Sequence, residues 1–201
     1  MRNALRTARQ SRGVRLLIAS LFSLALVVPA APVGAASGTG ISSSAEDDLQ
    51  AFALSLVNCT RTGGWVRSNG TCDRHPSKKY RSVKRKPLTL SEVISEKVAE
   101  NLAVKCAKKG SCSHSMAGGY KARFRKIGVR SYTGEALGYG WWGNARKTII
   151  SSYRTMQQEK IKPGAWGRWH YRYIKEPKFK KVGIGIAKRG SYSVVVYDFA
   201  S

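Results

Sequence analysis

The sequence predicts an α+β domain in which helices pack on an antiparallel sheet. Three observations carry that prediction. Apolar residues recur at helical spacing in several segments before residue 160, the stretch after residue 180 alternates with a period of two, and the two patterns follow one another without a regular strand and helix repeat. No internal repeat is visible.

Helix signals come first along the chain. Glu46, Asp47 and Asp48 suit the positive end of a helix dipole, and Leu49, Phe52, Ala53, Leu56 and Val57 then recur on one face, giving a helix from near Ser44 to about Thr60. Residues 63–86 hold Trp65 but little periodicity and read as a surface loop. Thr89 and Glu92 stand at capping-box spacing, and Leu90, Val93, Ile94, Val98, Leu102 and Cys106 give a second helix ending near Gly110. Tyr120, Phe124 and Ile127 give a short third helix. Ile149, Ile150, Tyr153 and Met156 give a fourth, just after Trp141 and Trp142. Val182, Ile184 and Ile186 then alternate with Gly183 and Gly185, Arg189 and Gly190 turn the chain, and Tyr192 to Phe199 is rich in Val and Tyr. That is a hairpin.

The N-terminus has a different character. Five arginines and no acid between Met1 and Arg15 run into an apolar stretch from Leu16 to Val28, followed by small residues at Val33-Gly34-Ala35-Ala36. This pattern reads as a cleavable signal peptide over residues 1–36. The apolar run is shorter than the ~20 residues of a spanning helix and ends in Pro29 and Pro32, so no membrane anchor is expected after cleavage. Residues 37–44 read as a flexible leader, and residues 45–201 as one domain, which implies a secreted protein in an extracellular or cell-wall setting.

Removing the signal takes away five of the 36 Lys and Arg residues and none of the 11 acids, leaving a net charge of +20. Such an excess points to polyanionic partners. Lys78, Lys79, Arg81, Lys84, Arg85 and Lys86 form one basic cluster, and Arg168, Arg172, Lys175, Lys178, Lys180 and Lys181 a second. If both reach one face, the domain adheres to teichoic acids, acidic glycans or extracellular DNA; the bland alternative is a solubilising coat. No nucleic-acid fold motif accompanies the charge, so sequence-specific recognition is not expected.

Four cysteines in an exported chain favour disulfides over free thiols. Of the three pairings, Cys59 with Cys72 and Cys106 with Cys112 are preferred, because each closes a short polar loop beside a predicted helix. No C-x-x-C or Cys and His zinc-finger spacing occurs. Asn58-Cys-Thr60 and Asn69-Gly-Thr71 fit the glycosylation sequon.

Histidines and acids are scarce enough to weigh singly. His75, between Arg74 and Pro76, reads as a solvated loop side chain. His114 follows Cys112 at the end of the second helix, and His170 lies in the aromatic and basic stretch Trp166-Gly-Arg-Trp-His-Tyr-Arg-Tyr173. Glu135, within Thr133-Gly-Glu-Ala-Leu-Gly138, is the kind of carboxylate that a fold holds by hydrogen bonds; an ordinary loop glutamate offsetting positive charge is the equal alternative.

Taken in order, Leu56-Val-Asn-Cys-Thr-Arg-Thr62, Cys112-Ser-His114, Arg123-Phe-Arg-Lys-Ile-Gly128, Gly134-Glu135, Trp169-His170-Tyr171, Phe179-Lys-Lys-Val-Gly-Ile-Gly185 and Tyr197-Asp-Phe199 resemble a bacterial member of the CAP superfamily. That superfamily, or SCP domain, groups cysteine-rich secretory proteins, antigen 5 and plant pathogenesis-related proteins. The resemblance implies an α-β-α sandwich with a cleft holding two histidines and two glutamates. It places His114, Glu135, Glu159 and His170 in those roles, Glu159 through Met156 standing where the family often has Trp. Ser115, Ala136 and Trp169 depart from the family pattern of Asn, Asn and Gly at those positions. These changes remove polar support and add bulk, and so favour weak over tight metal binding.

Without a positioned serine or cysteine, such a cleft does not form a covalent triad. It suits instead a divalent ion such as zinc held by His114 and His170, with the glutamates fixing the tautomers, or general acid and base work on a small ligand. The reading favoured is an extracellular binding module without catalysis. A metal-dependent hydrolase and a secreted lipid or sterol carrier are the alternatives, since fold alone does not choose among them.

Overall fold

The computed structural model describes residues 41–164 and 167–201. The signal-peptide segment, residues 37–40 of the leader, and Ala165 and Trp166 lie outside the described residues. Helix α1 spans Ser43–Arg61 and is followed by a small hairpin of β1 (Trp65–Val66) and β2 (Cys72–Asp73). Cys59 is bonded to Cys72, tying that hairpin to α1. Strand β3 (Thr89–Leu90) leads into α2 (Glu92–Ile94), a π-helical turn at Ser95–Ala99 and α3 (Glu100–Lys109). The chain continues through α4 (Tyr120–Lys126), β4 (Thr133–Gly140), α5 (Ala145–Gln158), α6 (Trp169–Lys175), β5 (Lys181–Arg189) and β6 (Tyr192–Ala200).

The four-stranded sheet has the order β3-β5-β6-β4. The expected β5–β6 hairpin is its centre, and β4 pairs antiparallel with β6, but β3 runs parallel to β5. The sheet is therefore mixed. Thr89, expected as a helix cap, instead pairs with Lys181 in that parallel edge, and Ser91 takes the position before the helix.

Alternation sets the two faces. Val182, Ile184, Ile186, Val195, Tyr197 and Phe199 point to one side and pack with Leu56, Val57, Ile149 and Tyr153 of α1 and α5. On the other side Val194 and Val196 meet Ala99, Leu102, Ala103 and Cys106. Helices thus cover both faces, an α-β-α sandwich. The glycines between the β5 apolar residues are what let the second layer close. A Cβ at Gly185 would stand 2.2 Å from the carbonyl carbon of Ala99, so helix backbone lies directly on strand backbone. There the Ser95 hydroxyl accepts from the Ile184 N–H at 2.9 Å, satisfying a donor beyond the short edge strand.

Strand β4 is not expected from sequence. Its Gly134, Gly138 and Gly140 depress strand propensity, yet a Cβ at Gly138 would stand 2.2 Å from the Ser152 hydroxyl of α5. Close approach of α5 requires the glycine.

Two features of the basic loop also depart from expectation. His75 is half-buried, its ring 3.9 Å from that of Tyr80. Asn58, one of the two sequon asparagines, accepts from the Leu88 N–H at 2.7 Å and donates to the Leu88 carbonyl at 3.0 Å, which commits its amide to the fold.

Candidate functional site

Strand β4 is an edge strand of the sheet, and its outward-facing residues form the floor of a cleft. Glu135, Leu137 and Tyr139 share that face by alternation, and the loop carrying Cys112, Ser113 and His114 stands on one side. Trp169, His170 and Tyr173 of α6 form the other. The enclosed volume is about 630 Å³.

Each histidine is held by one glutamate. His114 does not end a helix: α3 stops at Lys109 because Gly110 takes a left-handed conformation with φ 71°. The Cys106–Cys112 disulfide then pins the loop. His114 Nδ1 lies 2.8 Å from Glu135 Oε1, with the histidine half exposed and the glutamate fully buried. His170 Nδ1 lies 2.6 Å from Glu159 Oε1, and Glu159 Oε2 accepts from the Tyr171 N–H at 3.1 Å. Glu159 closes α5 and at the same time caps the first turn of α6, so one carboxylate fixes both the helix and the ring. A carboxylate only accepts, so each Nδ1 carries its hydrogen and Nε2 is left as the available nitrogen. The two rings lie 6.2 Å apart, inclined by 26°.

Of the four residues named from the sequence, His114, Glu135 and His170 therefore line this cleft, and Glu159 stands behind His170 as its hydrogen-bond partner. Sequence reasoning missed the groups behind them. Arg123 of α4 is buried, donating to Glu135 Oε2 through Nη2 and to the Met116 carbonyl at 2.6 Å through Nη1. Asp198 on β6 is fully buried directly opposite Glu135. Burial pushes the Asp198 carboxyl well above the usual range, and the charge of Glu135 adds to this while Arg123 opposes it. A lone acid inside the apolar run from Tyr192 to Phe199 is the signal that pointed there. Tyr173, in the cleft wall, is pushed up to about 12, chiefly by burial and then by Tyr120 and Tyr132, and stays a neutral phenol.

This arrangement has the fold and the paired donors expected of the resemblance, and the family comparison decides it. The family model of the cysteine-rich secretory proteins, CAP, matches residues 54–199. The chain belongs to the CAP family. Among curated proteins a sequence search finds no match. Of solved structures, the CAP domain of enterococcal PrgA is 16% identical with a TM-score of 0.52, covering 80% of this chain and 63% of that one. An extracellular SCP-domain protein from Bacillus anthracis is 13% identical with a TM-score of 0.50, covering 77% of this chain and 41% of that one. NaASP2 with Zn2+ is 17% identical with a TM-score of 0.48, covering 80% of each chain. The CAP domain here thus spans less than two thirds of the two bacterial chains.

The donors of this CAP cleft fit a metal only loosely. Zinc holds nitrogen at about 2.0–2.1 Å, so one ion needs the two Nε2 atoms within about 4 Å. With ring centroids 6.2 Å apart, that is met only when both nitrogens turn toward one another. Among the described residues no group of three or more His, Cys, Asp or Glu is arranged to hold an ion. Neither serine beside His114 is activated by it: Ser113 and Ser115 bond to one another at 3.1 Å, and both histidine Nδ1 atoms are committed to glutamates.

The basic clusters divide into framework and surface. Arg61 is buried and donates to the carbonyls of Lys86, Ile174, Glu176 and Phe179. Lys175, counted with the second cluster from sequence, is turned inward. Its ammonium donates to Thr60 and Arg61 carbonyls at 3.0 and 2.9 Å, to the Ser82 hydroxyl at 3.2 Å and to the Val83 carbonyl. Burial first, and then Arg61, Arg85 and Lys160, bring it down to about 8. Lys78, Lys79, Lys84, Arg85, Lys86, Arg168 and Arg172 are exposed, and Arg81 is half-buried.

Proposed function

We propose that this CAP domain is a secreted binding module without catalysis, adhering to anionic extracellular or cell-wall polymers through a basic strip beside the cleft, with the His and Glu cleft holding a ligand group. The observation that supports it is the joining of the two basic clusters. Arg61 and Lys175 tie residues 82–86 to residues 174–179, which brings the segment carrying the exposed Lys84, Arg85 and Lys86 up to the segment carrying the exposed Lys178. Adjacent cations on separate elements repel, and a fold that holds them together without intervening carboxylates other than Glu176 favours an anionic partner. The two disulfides agree with an oxidising compartment. Among the described residues no helix is long and apolar enough to cross a membrane.

Retention on immobilised polyphosphate tests the reading. H114A/H170A is expected to bind like the parent, whereas K84Q/R85Q/K86Q is expected to lose most retention at 0.1 M salt. Equal retention of the second variant overturns the strip. A second reading, a weak divalent-ion site serving hydrolysis, rests on the two available Nε2 atoms. It requires one zinc per chain at micromolar ion, lost in H114A; equilibrium dialysis showing none removes it. A lipid carrier would use the apolar walls at Leu137, Tyr139 and Trp169, and a lipid extract of the purified protein showing nothing bound counts against it.

A further inference from the structure

The cleft is the middle of something longer. A cavity of about 620 Å³ beside Arg130, Tyr132 and Thr133 shares Tyr120, Trp169 and Tyr173 with the His and Glu cleft. A third, of about 520 Å³, is walled by Trp141 and Trp142 and shares Cys112 and Tyr139 with the cleft. All three follow β4, from Thr133 at one end to Gly140 at the other. Eight strand residues at about 3.3 Å each make a groove of roughly 26 Å.

Its walls are exposed aromatic rings at intervals. Trp169 is 53% exposed, Tyr139 49% and Trp142 48%, values far above those of packing aromatics. The six-membered ring of Trp142 lies over Gly140, where a Cβ would stand 2.1 Å from Cζ3, so the glycine makes room for an indole that stays 48% exposed. An exposed ring seated over a glycine of the strand offers a surface for stacking. The flanks are cationic. Lys121, Arg125 and Arg130 line one end, Lys108 and Lys109 directly precede Gly110 of the other in the chain, and no Asp or Glu occurs in 101–134 or 136–158. Arg189 donates to the Lys108 carbonyl, which brings the turn of the β5–β6 hairpin to the end of α3.

We infer that the β4 groove binds an extended acidic polysaccharide, sugar rings stacking on Trp169, Tyr139 and Trp142 and the acidic substituents meeting cations at both ends. A chain of rings matches aromatic faces at intervals along a strand, and its charge matches the flanks. This goes further than the basic strip, which asks only for charge, and it rests on the binding-module reading rather than on catalysis.

Affinity electrophoresis separates the two. The probes are polygalacturonate, hyaluronate and carboxymethylcellulose as acidic polysaccharides, polyphosphate as charge without rings, and phosphatidylglycerol vesicles as an anionic membrane. W142A and W169A, at opposite ends of the groove and each checked for an unchanged melting curve, are expected to bind at least one acidic polysaccharide about tenfold more weakly. Polyphosphate binding should stay unchanged. No retardation by any of the three polysaccharides, or equal retardation of parent and both variants, overturns the groove while leaving polyphosphate binding to judge the strip. Vesicle binding lost in W142A without polysaccharide binding assigns the aromatics to a membrane and also overturns it.

Discussion

Glu135 and Asp198 are direct partners across the β4–β6 ladder, two fully buried carboxyl groups beside the single guanidinium of Arg123. One cation cannot neutralise two anions in a dry interior, so the group without a direct ion pair, Asp198, keeps its proton. His114 thus rests on a chain of Arg123 and Glu135, with Asp198 beside Glu135 on the same face of the sheet.

Asp198 makes stability depend on pH. A carboxyl raised in the folded state contributes fully below its unfolded value near 4, and that contribution is lost as pH rises toward the folded value. D198N removes the titration with little change of shape. Urea unfolding across pH 4–8 is expected to show a flatter profile for D198N, by about 1.4 kcal/mol for each unit by which the native carboxyl is raised. Parallel profiles contradict the assignment.

Removing Arg123 strands a buried carboxylate. R123M is expected to lose about 3–5 kcal/mol in urea unfolding, and R123M/E135M to regain most of it, because the cost belongs to the unpaired charge. A double variant as unstable as the single one would show that packing, and not charge, is at stake.

Lys175 acts in the opposite pH range. Its folded value of about 8 lies below the usual 10.5, so the unfolded chain binds more protons between the two and stability rises with pH across that window. K175M should melt about 3–6 °C lower at pH 7 through lost charge-assisted hydrogen bonds and lack the alkaline rise. Retention of the rise would place its cause elsewhere.

The disulfides differ in the loop they close, 13 residues for Cys59–Cys72 and 6 for Cys106–Cys112. Loop entropy then gives about 3 kcal/mol for the first and about 2 kcal/mol for the second. C59A/C72A is expected to be the less stable double variant in guanidinium; the reverse order would contradict this.

What the sequence made legible followed from strong periodicity and scarcity. Helix α1, helices α4 and α5 and the β5–β6 hairpin all carry clean apolar patterns, and with three histidines in the chain the two of the cleft stood out. Strand β4 was hidden because its glycines serve the approach of α5 and are poor strand formers. Helix α6 was hidden because its first turn is capped from a distance by Glu159, a contact no local window contains. Lys175 counted with the basic clusters, and the framework role of Arg61 was not visible, because their carbonyl acceptors lie more than twenty residues away in most cases. Tertiary contacts, close packing for β4 and hydrogen bonds for the others, decided each of these.

The most direct test of the binding module is the salt dependence of its adhesion. Polyphosphate retention, measured between 50 and 200 mM NaCl, should fall about a thousandfold if six or more cations of the strip engage the polymer. H114A/H170A should follow the same line, and K84Q/R85Q/K86Q a shallower one. Retention independent of salt, or lines of equal slope for parent and K84Q/R85Q/K86Q, would contradict the account.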